Sequence, residues 1–157
     1  MKKVLSLAAV VFVFAMLAVP VRAAAADDAA YDVLEAVGAS FGLALYNSHI
    51  VTGITADAYS KDVYSAADAK AIVDEQLGGL DMLDGYADKL LSSSLVTDSD
   101  KDSVRKIKAC IVKIKAMITS FETYLDSPTD DNADKFQQQR KDSYASLSDL
   151  LGLDKSK

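Results

Sequence analysis

One stretch of the chain carries an apolar residue at every third or fourth position, with successive spacings of 3, 4, 3, 4, 3 and 4. Its members are Val104, Ile107, Ile111, Ile114, Ile118, Phe121 and Leu125. In a helix this spacing puts every member on one face, which other helices must cover. The pattern therefore predicts a helix over about residues 99–126 inside a helical bundle. Ser99, followed by Asp102, is the predicted N-terminal cap, and Pro128 lies just beyond the predicted end.

Two further stretches show the same helical periodicity. A helix is predicted over about residues 65–92, beginning with the capping sequence Ser65–Asp68. Another is predicted over about 130–151, with Thr129 or Asp130 as its cap and Gly152 as its stop. Their predicted apolar stripes are Val73, Leu77, Leu80, Leu83, Ala87 and Leu90, and Ala133, Phe136, Arg140, Tyr144, Leu147 and Leu151.

The first predicted helix, over about residues 28–60, is the least regular. Its apolar face is predicted to contain Leu34, Val37, Phe41, Tyr46, Ile50 and Ile54. Gly38, Gly42 and Gly53 interrupt it, and each costs about 1 kcal/mol relative to alanine in a helix. The alternatives are a break near Gly53 or a short strand over residues 50–55. Four helices joined by loops of about four to seven residues predict an all-α fold, an antiparallel up-down-up-down four-helix bundle.

The N-terminus has the three parts of a secretory signal peptide. Met1-Lys2-Lys3 is basic, an apolar run of 16 residues follows from Val4 to Val19, and alanines occupy positions 23–26. We therefore expect residues 1–26 to be cleaved and residues 27–157 to form a single domain in the periplasm or outside the cell. An uncleaved signal anchor is the alternative. No stable membrane insertion is expected after cleavage.

Charge and the scarcity of two residue types narrow the function classes. Removing the leader lowers the Lys+Arg count from 17 to 14 against 23 acidic residues, so the net charge falls from −6 to −9. A strongly acidic protein repels phosphate, so nucleic acid is not an expected partner. The single cysteine, Cys110, and single histidine, His49, predict neither an internal disulfide nor a multi-histidine metal centre. A homodimer joined through Cys110 is an alternative.

When the chain is folded back at its predicted loops, several polar residues, glycines and the cysteine fall at the same height along the bundle, near its middle. We call this height the middle level. The candidates are His49, Asn47, Gly78, Gly79, Cys110 and Tyr144. One interpretation is a small cavity for a ligand, a haem or a metal ion. The other is close helix approach at the glycines, including Gly38 and Gly42, with His49 as a hydrogen-bonded buried histidine.

Charged residues also follow helical spacing. Asp81, Asp84 and Asp88 either bind a cation or form a solvated helix face. The predicted helix over residues 99–126 carries a basic face. This face is either an anion-binding patch or the side that faces the acidic helix over residues 65–92. Its members are Lys101, Arg105, Lys108 and Lys115, flanked by Lys106 and Lys113.

No nucleophile elbow and no phosphate-binding glycine loop is present in the sequence. We therefore predict no enzyme activity, no catalytic residues, no bound metal and no cofactor. The expected function is an acidic, exported, non-catalytic binding or scaffold module of the cell envelope, whose partner is an envelope protein or a small ligand. The alternatives are a small-ligand, haem or metal binder that uses the site near His49, and a periplasmic chaperone-like stress protein.

Overall fold

The protein is an all-α four-helix bundle. The computed structural model describes residues 23–153. They form α1 (Ala23–Tyr59), α2 (Ala66–Ser92), α3 (Asp98–Asp126) and α4 (Asp130–Leu151). Of the predicted signal peptide, residues 1–22 lie outside this part of the chain. Within it, no helix is both long and apolar enough to cross a membrane.

The chain divides between Glu35 and Ala36 into two units, and this boundary falls within α1. The described part of the first unit is helical. The predicted domain start at residue 27 falls inside this first unit. All helix contacts described below belong to the second unit.

Capping residues explain where the helices begin and end. The side chain of Ser65 accepts a hydrogen bond from the backbone of Asp68, as predicted, and Thr129 is the one of the two candidate caps that α4 uses. Gly152 ends α4 in the left-handed conformation, with φ of 67°. The predicted cap of α3 is wrong, because Thr97 and Asp100 form the capping box instead of Ser99 and Asp102. Both pairs have the required spacing, and the pair that is used directly follows the buried residue Val96.

The predicted seam of α3 is confirmed. All seven of its apolar residues are buried, and Cys110 and Met117 are buried with them. In α2, Val73, Leu80 and Ala87 of the predicted stripe are buried, while the three leucines between and after them are half-buried. The core of the bundle is centred on α3.

Ion pairs join α2 and α3 along the edge of this apolar contact. Lys70 lies 3.2 Å from Asp126, and Lys115 lies 2.6 Å from Asp81. The ammonium of Lys108 bridges two acids, at 2.8 Å from Asp84 and 2.7 Å from Asp88. Residue numbers rise in one helix as they fall in the other, so α2 and α3 are antiparallel. Lys108 and Lys115 of the basic face thus face the acids of α2, as the second interpretation expected, whereas Lys101 and Arg105 pair with Asp98 and Asp102 of α3 itself.

The predicted apolar face of α1 is partly wrong. Ile54 is 61% exposed and Tyr46 is also exposed. The buried residues of α1 are Phe41, Leu45, Ser48, His49, Thr52, Thr55 and Ala56, together with Gly42 and Gly53. Hydroxyl groups tolerate this burial because they bond to their own helix: the Oγ1 of Thr52 donates to the Ser48 carbonyl at 2.8 Å. The helix continues through Gly53, so the two alternatives, a break near Gly53 and a short strand over residues 50–55, are both wrong.

Helix α4 packs antiparallel against α1. Its residue Ser143 contacts His49, and Arg140 contacts Asp57. At the other end, Leu151 lies over Gly42, where an added Cβ would be only 2.7 Å from its side chain. The predicted stripe of α4 is confirmed at Phe136 and Leu147, which are buried. It is wrong at Tyr144 and Leu151, which are exposed, and the other buried residues of α4 are Ser143 and Ser148.

Candidate binding site between α1 and α4

His49 lies on the α4 side of α1 and is held by a buried serine. Its side chain is 5% exposed, and its Nδ1 lies 3.0 Å from the Oγ of Ser143. The same Oγ lies 3.0 Å from the Arg140 carbonyl and 3.2 Å from the Sδ of Met117. A hydroxyl has one proton to donate. When that proton goes to the carbonyl, Nδ1–H donates to Oγ, and Nε2 carries the lone pair of the imidazole.

The surroundings of His49 favour its neutral form. Burial lowers the pKa of the imidazole, and the positive charge of Arg140 lowers it further. Both effects disfavour the imidazolium, because it would lose hydration and face a like charge. His49 is therefore an uncharged, hydrogen-bonding ring at neutral pH.

Arg140 joins α4 to α1 beside this histidine. Its guanidinium donates to Asp57 at 2.9 and 3.4 Å, and this hydrogen bond is the main reason that the pKa of Asp57 is lowered. The guanidinium also lies over Gly53, where a Cβ would be 2.8 Å from one of its nitrogens. The glycine that looked like a helix break is thus the position that makes room for Arg140.

An open depression of about 330 Å³ lies between the two helices at this point. It is lined by His49, Gln137, Arg140, Lys141 and Tyr144. The rings of His49 and Tyr144 are tilted against each other, with centroids 5.7 Å apart. None of the lining residues is acidic, and Lys141 forms no ion pair with any other described residue. The residues that line the depression carry two cations and no acid, on a chain with 23 acidic and 17 basic residues, and one of the two cations, Arg140, is paired with Asp57.

The structure brings together only part of the predicted middle level. His49 and Tyr144 are neighbours. Asn47 is exposed and does not line the depression. Gly78 and Gly79 are also exposed, and an added Cβ would meet no other atom within 4 Å. The expectation that these glycines form a cavity or a close helix contact is therefore wrong, because the packed stripe of α2 passes through Val73 and Leu80 instead.

Cys110 lies in the core rather than in the depression. It is fully buried, and burial raises the pKa of its thiol, partly offset by a hydrogen bond with Ser146. Ser146 is two residues beyond Tyr144 on α4. Cys110 and Tyr144 therefore lie at about the same level along the bundle, as predicted. A buried thiol cannot meet a second chain without opening the bundle, which leaves the alternative of a Cys110-linked dimer without structural support.

Arg140 and Lys141, the two cations of the site, were not among the predicted site residues. Gln137, Arg140, Lys141 and Tyr144 recur at spacings of 3, 1 and 3, which places them on one helix face. Arg140 could have indicated the site, because it is a charged residue within a predicted apolar stripe. Ser143 gave no signal, because a serine in a helix is equally compatible with a buried and an exposed position.

The haem and metal alternatives find little support in the site. A haem held between His49 and Met117 would need the space that Ser143 occupies, since this serine contacts both side chains. Within residues 31–153, no three His, Cys, Asp or Glu side chains are grouped to hold a metal ion. Comparison of the chain with protein-family models, with curated proteins and with solved structures found no match.

Proposed function

We propose that the protein is an exported, non-catalytic binding protein that holds a small anionic ligand in the depression between α1 and α4. The observation that carries this proposal is the positive lining of the depression, with Arg140 and Lys141, on an otherwise acidic chain. The N-terminal sequence pattern supports the exported location. Of the functions expected from the sequence, this proposal keeps the non-catalytic binding protein and chooses a small ligand, bound near His49, rather than an envelope protein as its partner.

The lining residues have complementary tasks in binding an anion. Arg140 is fixed in place by Asp57, and its remaining N–H groups are free to donate to a ligand. Lys141 is exposed and adds a second positive charge to the lining. An anion beside His49 would raise the pKa of the imidazole. Binding is therefore linked to proton uptake and tightens as the pH falls towards the pKa of His49.

The His49–Ser143 pair supports binding rather than catalysis. A serine nucleophile must reach its substrate, but Ser143 is fully buried. Its hydroxyl is engaged by His49, by a backbone carbonyl and by the sulfur of Met117. Ser143 therefore positions the imidazole at the edge of the depression.

The test is an NMR titration of the protein isolated from its own host, with sodium acetate and inorganic phosphate as probes. We expect the ring signals of His49 and Tyr144 to move, with tighter binding at pH 6 than at pH 7.5. Lys141→Gln should weaken the affinity about threefold, as expected for one exposed charge. The matched control Lys113→Gln changes an exposed lysine on α3 and should have no effect.

Ring signals that stay unmoved with both probes would reject the proposal. An equal loss of affinity in Lys141→Gln and Lys113→Gln would also reject the depression as the binding site, because it would show a response only to overall charge.

A further inference from the structure

The solvent side of α1 carries apolar residues where a surface helix normally carries polar ones. Leu43 is 62% exposed, and Tyr46 and Ile54 are also exposed, while Ile50 is half-buried. Their spacings of 3, 4 and 4 place the four side chains along one line of the helix. We call this line the α1 stripe. Tyr46, Ile50 and Ile54 were predicted to be core, but the core instead uses Leu45, His49 and Thr52.

The α1 stripe runs beside the positive depression. Tyr46 lies one turn before His49, which lines the depression. Asp57, seven residues after Ile50 and therefore on the same line, reaches Arg140 on α4 at 2.9 Å. Tyr46 and Asp57 thus lie towards the edge of α1 that adjoins α4, while Leu43 and Ile54 lie further towards solvent. At its far end, Leu43 directly follows Gly42, over which the part-exposed Leu151 of α4 lies.

We propose that the ligand is a single-chain amphiphile with a carboxylate head group, such as decanoate. The carboxylate binds at Arg140 and Lys141, and the alkyl chain lies between Tyr144 on α4 and Tyr46 and Leu43 on α1. This inference rests on the proposed anion site and adds the apolar part of its ligand. From the level of Gly53, under Arg140, to Leu43 is ten residues of helix, or about 15 Å. A medium-length alkyl chain spans such a distance.

Charge decides between a free amphiphile and a membrane surface. The chain has a net charge of −6, or −9 without its leader, so an anionic bilayer would repel it. The positive region is instead confined to one depression of about 330 Å³, which suits one head group rather than a lipid surface. The α1 stripe passes one turn from the depression at Tyr46, and its exposed apolar side chains suit an alkyl tail on the same ligand.

The test measures affinity along the series acetate, hexanoate, octanoate and decanoate by calorimetry, below the concentrations at which micelles form. The protein is isolated from its host and stripped of bound lipid. We expect about a twofold gain for each added methylene, because the proposed trough beside Tyr46 and Leu43 is open and would cover only part of the alkyl chain. Leu43→Ser and Tyr46→Ser should reduce this gain. The control Val112→Ser, which alters a 62% exposed residue on α3, should leave it unchanged.

The outcomes separate this inference from the proposal on which it rests. Equal affinity for acetate and decanoate would overturn the amphiphile while leaving the anion site intact. Equal affinity for decanoate and decyltrimethylammonium would show binding to apolar surface alone and would reject both. Binding to vesicles of anionic phospholipid in preference to decanoate would replace the free amphiphile by a membrane surface. An absence of binding to every carboxylate would reject the anion site and the inference together.

Discussion

The two halves of the bundle are built from different side chains. Every buried polar residue of the described part other than Cys110 lies on α1 or α4: Ser48, His49, Thr52, Thr55, Ser143 and Ser148. The buried residues of α2 and α3 are apolar apart from that cysteine, and the ionic contacts between these helices stay at their edge. Only the half formed by α1 and α4 buries polar side chains that can recognise a ligand.

This difference indicates a division of labour between stability and chemistry. Apolar burial contributes roughly 25 cal/mol per Å², so the α3 seam is the main source of stability. Buried polar groups contribute little and are costly when left unpaired. The α1–α4 contact pairs most of its polar groups, by bonds to the same helix at Thr52 and Thr55 and by a bond between helices at His49. That arrangement holds His49 and Arg140 beside the depression without a large loss of folding free energy.

The strongest test of the division is a truncation in the seam. Phe121 is fully buried, with its ring centroid 5.0 Å from that of Phe136 and 6.3 Å from that of Tyr59. Phe121→Ala should lower the free energy of unfolding by about 3–5 kcal/mol through lost transfer energy and a cavity. Urea denaturation followed by circular dichroism measures this loss.

Two control variants test whether the loss of stability is specific to the buried apolar seam of α3. Thr52→Val changes an equally buried residue of α1 and removes only a bond within that helix, so we expect a change within about 1 kcal/mol. Val112→Ala, at an exposed position of α3, should change stability by less than about 0.5 kcal/mol. A loss at Thr52 as large as that at Phe121 would contradict the division of labour.

Two serines of α4 test whether pairing matters within the polar half. Ser143 is buried and paired with His49, whereas Ser148, also buried, has an Oγ with no hydrogen-bond partner among the described residues. Ser143→Ala should cost about 1–3 kcal/mol, because it leaves a buried imidazole nitrogen unpaired. Ser148→Ala should be neutral or stabilising, since it removes an unsatisfied group. Thermal and urea unfolding would show whether the order is reversed, which would exclude the His49–Ser143 bond as a stabilising contact.

The same contrast explains what the sequence could predict. The α3 seam was predicted residue by residue, because seven apolar side chains at helical spacing admit one buried face. On α1 the same rule chose Tyr46 and Ile54 as core, and both are exposed. The buried face there contains Thr52 and Ser48, which periodicity counts as polar. Hydroxyls that bond to their own backbone are buried at low cost, and no pattern of hydrophobicity reveals them.

The site was predictable only in part for a related reason. Folding the chain at its loops correctly placed His49 beside Tyr144. It could not place Gly78 and Gly79, because a helix can rotate about its axis without changing the height of its residues. The role of Gly53 required knowing which side chain crosses it, and that partner, Arg140, is 87 residues away.

The pH dependence of stability tests the buried imidazole directly. Burial and Arg140 lower the pKa of His49, so the unfolded chain, with an imidazole pKa near 6.5, takes up a proton before the folded protein does. Stability is therefore complete above about pH 6.5 and falls as the pH drops towards the lowered pKa. Each unit of pKa difference corresponds to about 1.4 kcal/mol. Urea unfolding at several pH values between about 7.5 and 5 measures the loss.

The variant His49→Gln isolates this contribution. Arg140, Asp57 and Tyr144 remain around position 49, and the other titrating groups are unchanged. Glu122, whose pKa is raised by burial and by Asp74, gives a slope of the opposite sign in both proteins, so it cancels in the comparison. Identical pH profiles for the two proteins would mean that His49 is not held in its neutral form.

The smallest expected effects come from glycines and compare open with closed helix faces. Gly78→Ala and Gly79→Ala should each stabilise the protein by about 0.5–1 kcal/mol, because a Cβ there meets no atom and alanine is the better helix former. At Gly42, an added Cβ would lie 2.7 Å from Leu151. Displacing that side chain offsets the gain, so Gly42→Ala should stabilise less. Equal shifts in the unfolding midpoint at Gly42 and Gly78 would show that α1 and α4 do not approach closely at this end, and the trough proposed for the ligand would then lose its far wall.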